Sequence, residues 1–336
     1  MLTRVEVARK AGVSEATVSH VINGTKFVSD ELRMKVEKAV AELGYKPNFI
    51  ARSLATKVSK HVGILVNDIT NPYYGKIAQG MEEVARINGY MVSIFAASAS
   101  ADELYANIMQ RQMDGLFIAT VQNRFSEEQV GQLHNKGVAI VNGSFNTGSV
   151  VDFNYDRGMN LLIRHLKEFG HKQIAYLSGL SMNDPAHWRY NAFLKALKRQ
   201  ELLYDPGLAV DGQEPYETTC DNGYIAMKKL LKMETRVTAV VATNDLMAYG
   251  AMKAIREAGL KIPGDISVAG CDDIFLSSFT DPPLTTLTAP IKELGKQAMY
   301  LILQEIQKNG PKTVYLDLDL SIRGSTGIAK ESKVNE

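Results

Sequence analysis

From His61 onward the chain repeats one unit, a short apolar run followed by an amphipathic stretch of helical period. The apolar runs are "VGILV" (62–66), "MVSIFA" (91–96), "GLFIA" (115–119) and "VAIVN" (138–142). A second series follows: "IAYLSG" (174–179), "LAVDG" (208–212), "AVVAT" (239–243) and "SVAGC" (267–271). Helical stretches such as 75–88, 102–113, 157–169, 189–200, 222–232 and 246–258 separate them. Runs this short, each followed by a helix, read as parallel strands joined by crossovers, which is a doubly wound α/β arrangement. Two sets of four, divided near Asp156, predict two similar lobes rather than one large sheet. Ligands of such sheets lie beyond the carboxyl ends of the strands, here in a cleft between the lobes. No G-x-G-x-x-G or G-x-x-x-x-G-K-[ST] follows any strand, so dinucleotide-binding and P-loop readings have no support.

The first sixty residues follow a different pattern. "VEVARKA" repeats apolar residues at Val5, Ala8 and Ala11, and Gly12 permits a tight turn. Ser14 is suited to cap a second helix, with Glu15 in its first turn. A third helix starts at Ser29 and carries Leu32, Val36, Val40 and Leu43 on one face until Gly44. Helix, tight turn, helix is the arrangement in which the second helix enters a DNA major groove. "GVSEATVSHVING" (12–24) presents Ser14, Thr17, Ser19 and His20 outward, a face suited to hydrogen-bonding base edges and phosphates. After Pro47, "FIARSLAT" has the length of one helix of about two turns, marginal in water on its own and expected to order only on DNA.

The charge divides along the same boundary. Residues 1–60 hold 11 lysines and arginines against 6 acids, and the remainder holds 27 against 31. A basic head on an acidic body points to a polyanion as the head's partner. Cys220 and Cys271 give neither metal-ligand spacing nor a disulfide framework and read as reduced structural thiols. "MLTRVEVARK" has no apolar h-region and no run approaches 18 apolar residues, so the expectation is a cytoplasmic protein with no membrane partner.

Residues 5–54 as a block, with "NDITNPYYGKIAQGMEE" (67–83), "FGHKQIAYLSG" (169–179), the long run "TAVVATNDLMAYGAMKAIREAGLKIPGDISVAGCDD" (238–273) and "PPLTTLTAP" (282–290), carry a resemblance. Over essentially its whole length the chain resembles the LacI/GalR family of bacterial transcription regulators. The resemblance implies an all-α helix-turn-helix head (1–47), a hinge helix and linker (48–60), and an effector-binding and dimerisation core (61–336). That core would be of the periplasmic-binding-protein type, with two Rossmann-like lobes. The chain would cross between lobes near 156–159, 288–291 and 320–323. The N-lobe would take about 61–156 plus 291–320, and the C-lobe about 159–288 plus 323–330. "TVYLDLDL" (313–320) would then return as a strand to the N-lobe.

By the same resemblance Glu15, Ala16 and His20 occupy the positions that choose the operator. Neutral imidazole can donate to guanine N7 or O6 but cannot make the bidentate contact of the Arg that many relatives carry there. Glu15 either accepts from cytosine N4 or serves the helix dipole without touching a base. Thr17, Ser19, Asn23 and Lys26 are expected to hold phosphates. Leu54 matches the hinge leucine that wedges into a minor-groove step, with Ala55 after it.

In the core, Tyr73 and Tyr74 stand where effectors are stacked, one of the two being structural. Arg189 and Asp272 match the family's effector-binding arginine and aspartate, whose charges suit vicinal hydroxyls or a carboxylate. Their loss is expected to cost binding far more than stability. Asn244 and Asp245 line the same cleft, with Asp245 alternatively capping the helix that follows. His187 and Trp188 are weaker candidates for stacking. Asn142 stands where relatives often have Asp, and "GQEPYETTCDNGY" looks longer than the usual loop.

The resemblance implies a homodimeric repressor of a near-palindromic operator. A small ligand between the lobes, expected to be a carbohydrate, would control it, with a purine corepressor as the alternative. No cofactor or metal is implied. No nucleophile, base and third group stand in motif context, which argues against an enzyme. The basic head argues against a secreted solute-binding protein. "IAKESKVNE" shows no leucine heptads for a tetramerising coiled coil.

Overall fold

The computed structural model describes residues 2–24, 26–46, 58–97, 100–120, 125–143, 148–180, 187–214, 216–234 and 237–330. The described residues form two compact units that meet in sequence between Lys60 and His61. The expected hinge helix, with Leu54 and Ala55, lies outside the described residues.

In the first unit, α1 (Arg4–Ala11), α2 (Glu15–Asn23) and α3 (Asp30–Leu43) enclose a small core. Val7, Ala8, Val18, Val36, Ala39 and Tyr45 fill it. Gly12 ends α1 at φ 66°, a left-handed turn that a side chain would strain, and its N–H reaches the Ala8 and Arg9 carbonyls. Ser14 then caps α2, its Oγ accepting from the Thr17 N–H at 3.1 Å. Val18 is the one α2 residue that is fully buried. So α2 is anchored through a narrow apolar line, and its remaining circumference is left for polar contacts.

The second unit contains two six-stranded sheets. The first takes β1 (His61–Val66), β2 (Met91–Ala96), β3 (Gly115–Ile118), β4 (Ala139–Asn142), β5 (Ser149–Asn154) and β11 (Thr313–Asp317) in the order β11-β5-β4-β3-β1-β2. All of its pairings are parallel. The second sheet takes β6 (Ile174–Ser178), β7 (Ala209–Asp211), β8 (Ala239–Ala242), β9 (Ser267–Asp272), β10 (Thr285–Thr288) and β12 (Asp319–Ser321) in the order β12-β10-β9-β8-β6-β7. Only the β10–β12 pair is antiparallel. Each sheet therefore has two strands more than the apolar runs predict. Of the four additions, β5 alternates buried and half-buried residues, and β10 is built largely of buried threonines.

Helices cover the sheets: α4 (Pro72–Ile87), α5 (Ala101–Gln110), α6 (Glu127–Asn135), α7 (Tyr155–Glu168), α8 (Trp188–Arg199), α9 (Cys220–Leu230), α10 (Asp245–Glu257) and α11 (Ile291–Ile306). The chain passes between lobes from β5 into α7, from β10 into α11, and from β11 into β12. The last passage corrects the reading of 313–320 as one strand. Leu318 is fully buried, and the chain changes sheets there, earlier than 320–323. "YLDLDL" alternates without a break, so its period of two hides the change of sheet. The second passage is fixed by α11 packing on α4 at Gly80 and Gly295. A Cβ at these positions would overlap the Lys292 and Ile77 carbonyl oxygens.

Candidate functional site

Between the lobes lies a cavity of about 120 Å³. That is close to the ~150 Å³ that accepts a benzene-sized molecule, so the space suits one small ring. The first lobe contributes Asn71, Tyr73, Phe117, Thr120 and Asp152, from the carboxyl ends of strands and the start of α4. Facing them are His187, Trp188, Arg189, Thr218, Asn244 and Asp272 of the second lobe, with Tyr155 at the first crossing. The placement follows the rule for doubly wound sheets.

Arg189 and Asp272 form an ion pair at 2.9 Å, their side chains only 18% and 5% exposed. The guanidinium also donates to the Thr243 carbonyl at 2.7 Å and to Tyr155 Oη at 3.3 Å, and it lies over the Tyr155 ring at 5.1 Å. Burial pushes the Asp272 carboxyl up to about 6, and the neighbouring guanidinium pulls it back from a still higher value. Burial likewise holds the phenols of Tyr73, Tyr74 and Tyr155 above their ordinary range, so all three are neutral hydrogen-bonding groups at any physiological pH. Among the described lining residues Asp152 and Asp272 carry negative charge and Arg189 positive charge. Such a set accepts from hydroxyls at two points and donates at one.

Asn244 and Asp245 divide the work differently from the sequence reading. Asn244 is the cap: its Oδ1 accepts from the Met247 N–H at 3.0 Å, its Nδ2 donates to the Thr218 carbonyl at 3.0 Å, and it still lines the cavity. Asp245 is completely buried and lies outside the lining. Its carboxylate accepts from Thr286 Oγ1 at 2.5 Å, Ser277 Oγ at 2.6 Å and the Ile274 N–H at 2.9 Å, so it ties α10 to β10 and the turn after β9. Burial, with Asp272 nearby, raises its carboxyl to about 7.

Asn142 is buried at the end of β4 and is not among the described lining residues; Gly143, the next residue, is. Tyr73 and Tyr74 both reach the cavity, edge to face at 5.2 Å, and Tyr74 is the more deeply buried. His187 and Trp188 also line it, with His187 held to Ser178 Oγ at 2.5 Å. Asn71, Phe117, Thr120, Asp152, Tyr155 and Thr218 were missed. The alternation of "SVVDFN" was the available signal for Asp152. Thr218 owes its position to buried Asn222, which accepts from the Gln213 and Glu214 N–H groups and donates to the Glu214 and Glu217 carbonyls.

On the head, Glu15, Ala16 and Lys26 are exposed, and Thr17, Ser19, His20 and Asn23 are half-buried. Thr17 Oγ1 lies 2.9 Å from Ser14 Oγ. Ser19 Oγ accepts from Arg4 Nη1 at 3.3 Å and from Asn23 Nδ2 at 3.1 Å. Arg4, which the motif did not single out, thus stands against the exposed side of α2.

Comparison with known proteins agrees with both units. Residues 5–48 match the model of bacterial regulatory proteins, lacI family, and residues 163–326 match a periplasmic binding protein-like domain. The ribose operon repressor of Haemophilus influenzae is 34% identical over 313 residues, 91% of this chain and 92% of that protein. The chain belongs to the lacI family of bacterial regulatory proteins. The HTH-type transcriptional repressor PurR of Histophilus somni is also 34% identical, over 97% of this chain and 99% of its own. Among solved structures, the lac repressor dimer bound to operator and the anti-inducer ONPF has a TM-score of 0.80 at 29% identity, covering 97% of this chain and 99% of its own. A lacI-family regulator from Enterococcus faecium with bound ribose has a TM-score of 0.71 at 29% identity, covering 80% of this chain and 100% of its own. This family member is therefore a sequence-specific DNA-binding transcription regulator, not an enzyme. No helix among its described residues is long and apolar enough to cross a membrane.

Proposed function

We propose that this regulator is a cytoplasmic, homodimeric repressor whose operator affinity is set by a small neutral sugar bound between the core lobes. The observation that carries the sugar reading is the buried Arg189–Asp272 pair, facing Asp152 across a cavity sized for one ring. Carboxylates accept from vicinal hydroxyls, the guanidinium donates to a third oxygen, and Tyr73, Phe117 and Trp188 supply apolar wall for a ring face. Two carboxylates against one guanidinium disfavour a phosphorylated ligand, because added negative charge would meet a site already negative on balance. Kinship with ribose operon repressors, and with a relative holding ribose, makes D-ribose the first ligand to test. A purine is the second reading, drawn from the similarity to PurR.

On the DNA side, two heads related by a two-fold axis would read a near-palindrome. Glu15, Ala16 and His20 would face base edges. Thr17, Ser19, Asn23 and Lys26 would hold phosphates, with Arg4 beside them. Leu54 would wedge into the central minor groove. Titrating the full chain with D-ribose, ribose 5-phosphate and hypoxanthine by calorimetry tests the effector class. Heat of binding with D-ribose and none with the phosphate is expected. Binding of hypoxanthine alone would replace the sugar reading with the purine one.

A further inference from the structure

Asp272 and its neighbour Asp273 both hold positive φ, 118° and 54°, at the point where β9 ends. Non-glycine residues rarely adopt this region, and two in succession persist only where surrounding contacts enforce them. Their carboxylates are committed to different neighbours. Asp272 meets Arg189 in the cleft. Asp273 accepts from Arg323 Nη2 at 2.7 Å and Thr288 Oγ1 at 2.9 Å, with Ser321 Oγ at 3.2 Å. Thr288 and Ser321 hydroxyls are themselves 2.5 Å apart. Each hydroxyl has one proton, so either both donate to the carboxylate or one donates through the other; in both cases Asp273 anchors the pair.

The positions of these partners in the chain give the cluster its meaning. Thr288 is the last residue of β10, where the chain leaves for α11. Ser321 ends β12, just after the chain has returned through Leu318. Asp273 therefore fastens the second-lobe ends of two of the three crossings. Arg189 covers the remaining one by lying over Tyr155, the first residue of α7. The Asp272 carbonyl, in addition, accepts from the Ala289 N–H at 3.4 Å inside the second crossing.

We infer that Asp273 is a positioning residue for the lobe hinge, coupling occupation of the cleft at Asp272 to the second and third crossings. The two aspartates share a peptide unit. A ligand that draws Asp272 away from Arg189 turns that unit, and the turn is felt at Thr288 and Ser321. The inference rests on the reading that the cleft ligand engages Asp272.

The test is hydrogen exchange on the full-length protein and on its Asp273→Asn and Thr288→Val variants, without ligand and with D-ribose. Thr288→Val removes one hydroxyl and leaves the Asp273–Arg323 pair in place, so it guards against a general loss of folding in Asp273→Asn. Without ligand, exchange at residues 286–291 and 316–322 should rise together at least five-fold in both variants, while residues 154–158 keep the wild-type rate. With ligand, the ratio of affinities for DNA upstream of its own gene, with and without D-ribose, should fall at least five-fold. Wild-type exchange at both crossings would overturn the inference. So would a rise at all three crossings in step with lost global stability. If D-ribose fails to protect the wild-type cleft, the sugar reading fails, and the ligand-free exchange pattern still decides the role of Asp273.

Discussion

Replacing Arg189 by alanine should destabilise the core by an amount that grows with pH. The substitution deletes hydrogen bonds to the Thr243 carbonyl and Tyr155 Oη, each worth about 1 kcal/mol net. It also leaves Asp272, 5% exposed, without its counter-charge. In the wild type that carboxyl sits at about 6. With burial unopposed it must rise further, so near pH 5 it is largely protonated in both proteins. The deficit there comes from the lost hydrogen bonds to Thr243, Tyr155 and Asp272 and the lost contact with the Tyr155 ring, with little charge contribution. Above pH 6 the wild-type native state releases the proton, while the variant holds it. The unfolded chains are both ionised above about pH 4 and do not differ. The variant's native state therefore binds the extra proton, and its deficit grows by about 1.4 kcal/mol per pH unit until its own carboxyl ionises. Between pH 5 and pH 8 the gap should widen by roughly 2–3 kcal/mol. Urea unfolding followed by the fluorescence of Trp188, the only tryptophan and the neighbour of the mutated site, reads it directly. Adding Asp272→Asn to the variant should remove the pH slope. A gap that is constant, or that narrows as pH rises, would refute the reasoning. The sequence alone leads one to expect that loss of this charge costs binding far more than stability; the burial of the pair leads us to predict a cost in stability as well.

Asp245→Asn probes the second raised carboxyl: the wild-type native state holds that proton up to about pH 7, so stability should fall as pH rises from about 4 to 7, and the variant should lack that part of the slope in the same urea titrations. Gly295→Ala puts a methyl group against the Ile77 carbonyl and should lower stability by about 1–3 kcal/mol, measured by thermal unfolding, with ligand affinity per folded molecule unchanged. His20→Ala should weaken the specific operator by about 1–3 kcal/mol in fluorescence anisotropy while sparing random DNA; equal losses on both would make His20 a backbone contact. Leu54→Ala should lower operator affinity and reduce the DNA bend seen by gel mobility, leaving calorimetric ligand affinity without DNA unchanged.

What was legible in the sequence was whatever depends on near neighbours. The turn at Gly12, the cap at Ser14 and the apolar runs of β1 to β4 are set within a few residues of themselves, and each can be read from spacing. Strand β10, "TTLT", was not marked by hydrophobicity because its threonines are satisfied from afar, Thr285 by Thr326 and Thr286 by Asp245. The change of sheet at Leu318 is hidden for a related reason, since both flanking segments alternate in the same phase. At Asn244-Asp245 two short polar residues compete for one cap. Which of them wins is decided by Ser277 and Thr286, more than thirty residues away, and their donors draw Asp245 inward.

The same distances explain why the cleft could be named from motifs while its working could not. Arg189 meets Asp272 across 83 positions, and Arg323 meets Asp273 across 50. The first pair closes as α8 folds onto the second sheet, within one lobe, whereas the second closes only after the chain has left for the first lobe and returned. Arg189 and the main chain of Asp272 thus serve both the cleft and the crossings, with Tyr155 under Arg189 and the Ala289 N–H on the Asp272 carbonyl. Ligand preference and the resting balance of the lobes then cannot be tuned independently at these residues. A substitution at Tyr155 or Arg189 that reshapes the cavity also loosens the first crossing, whereas one at Asp152 or Phe117, on the opposite wall, changes the cavity without touching the Arg189–Asp272 pair. Specificity in such a cleft is most freely altered from the first lobe.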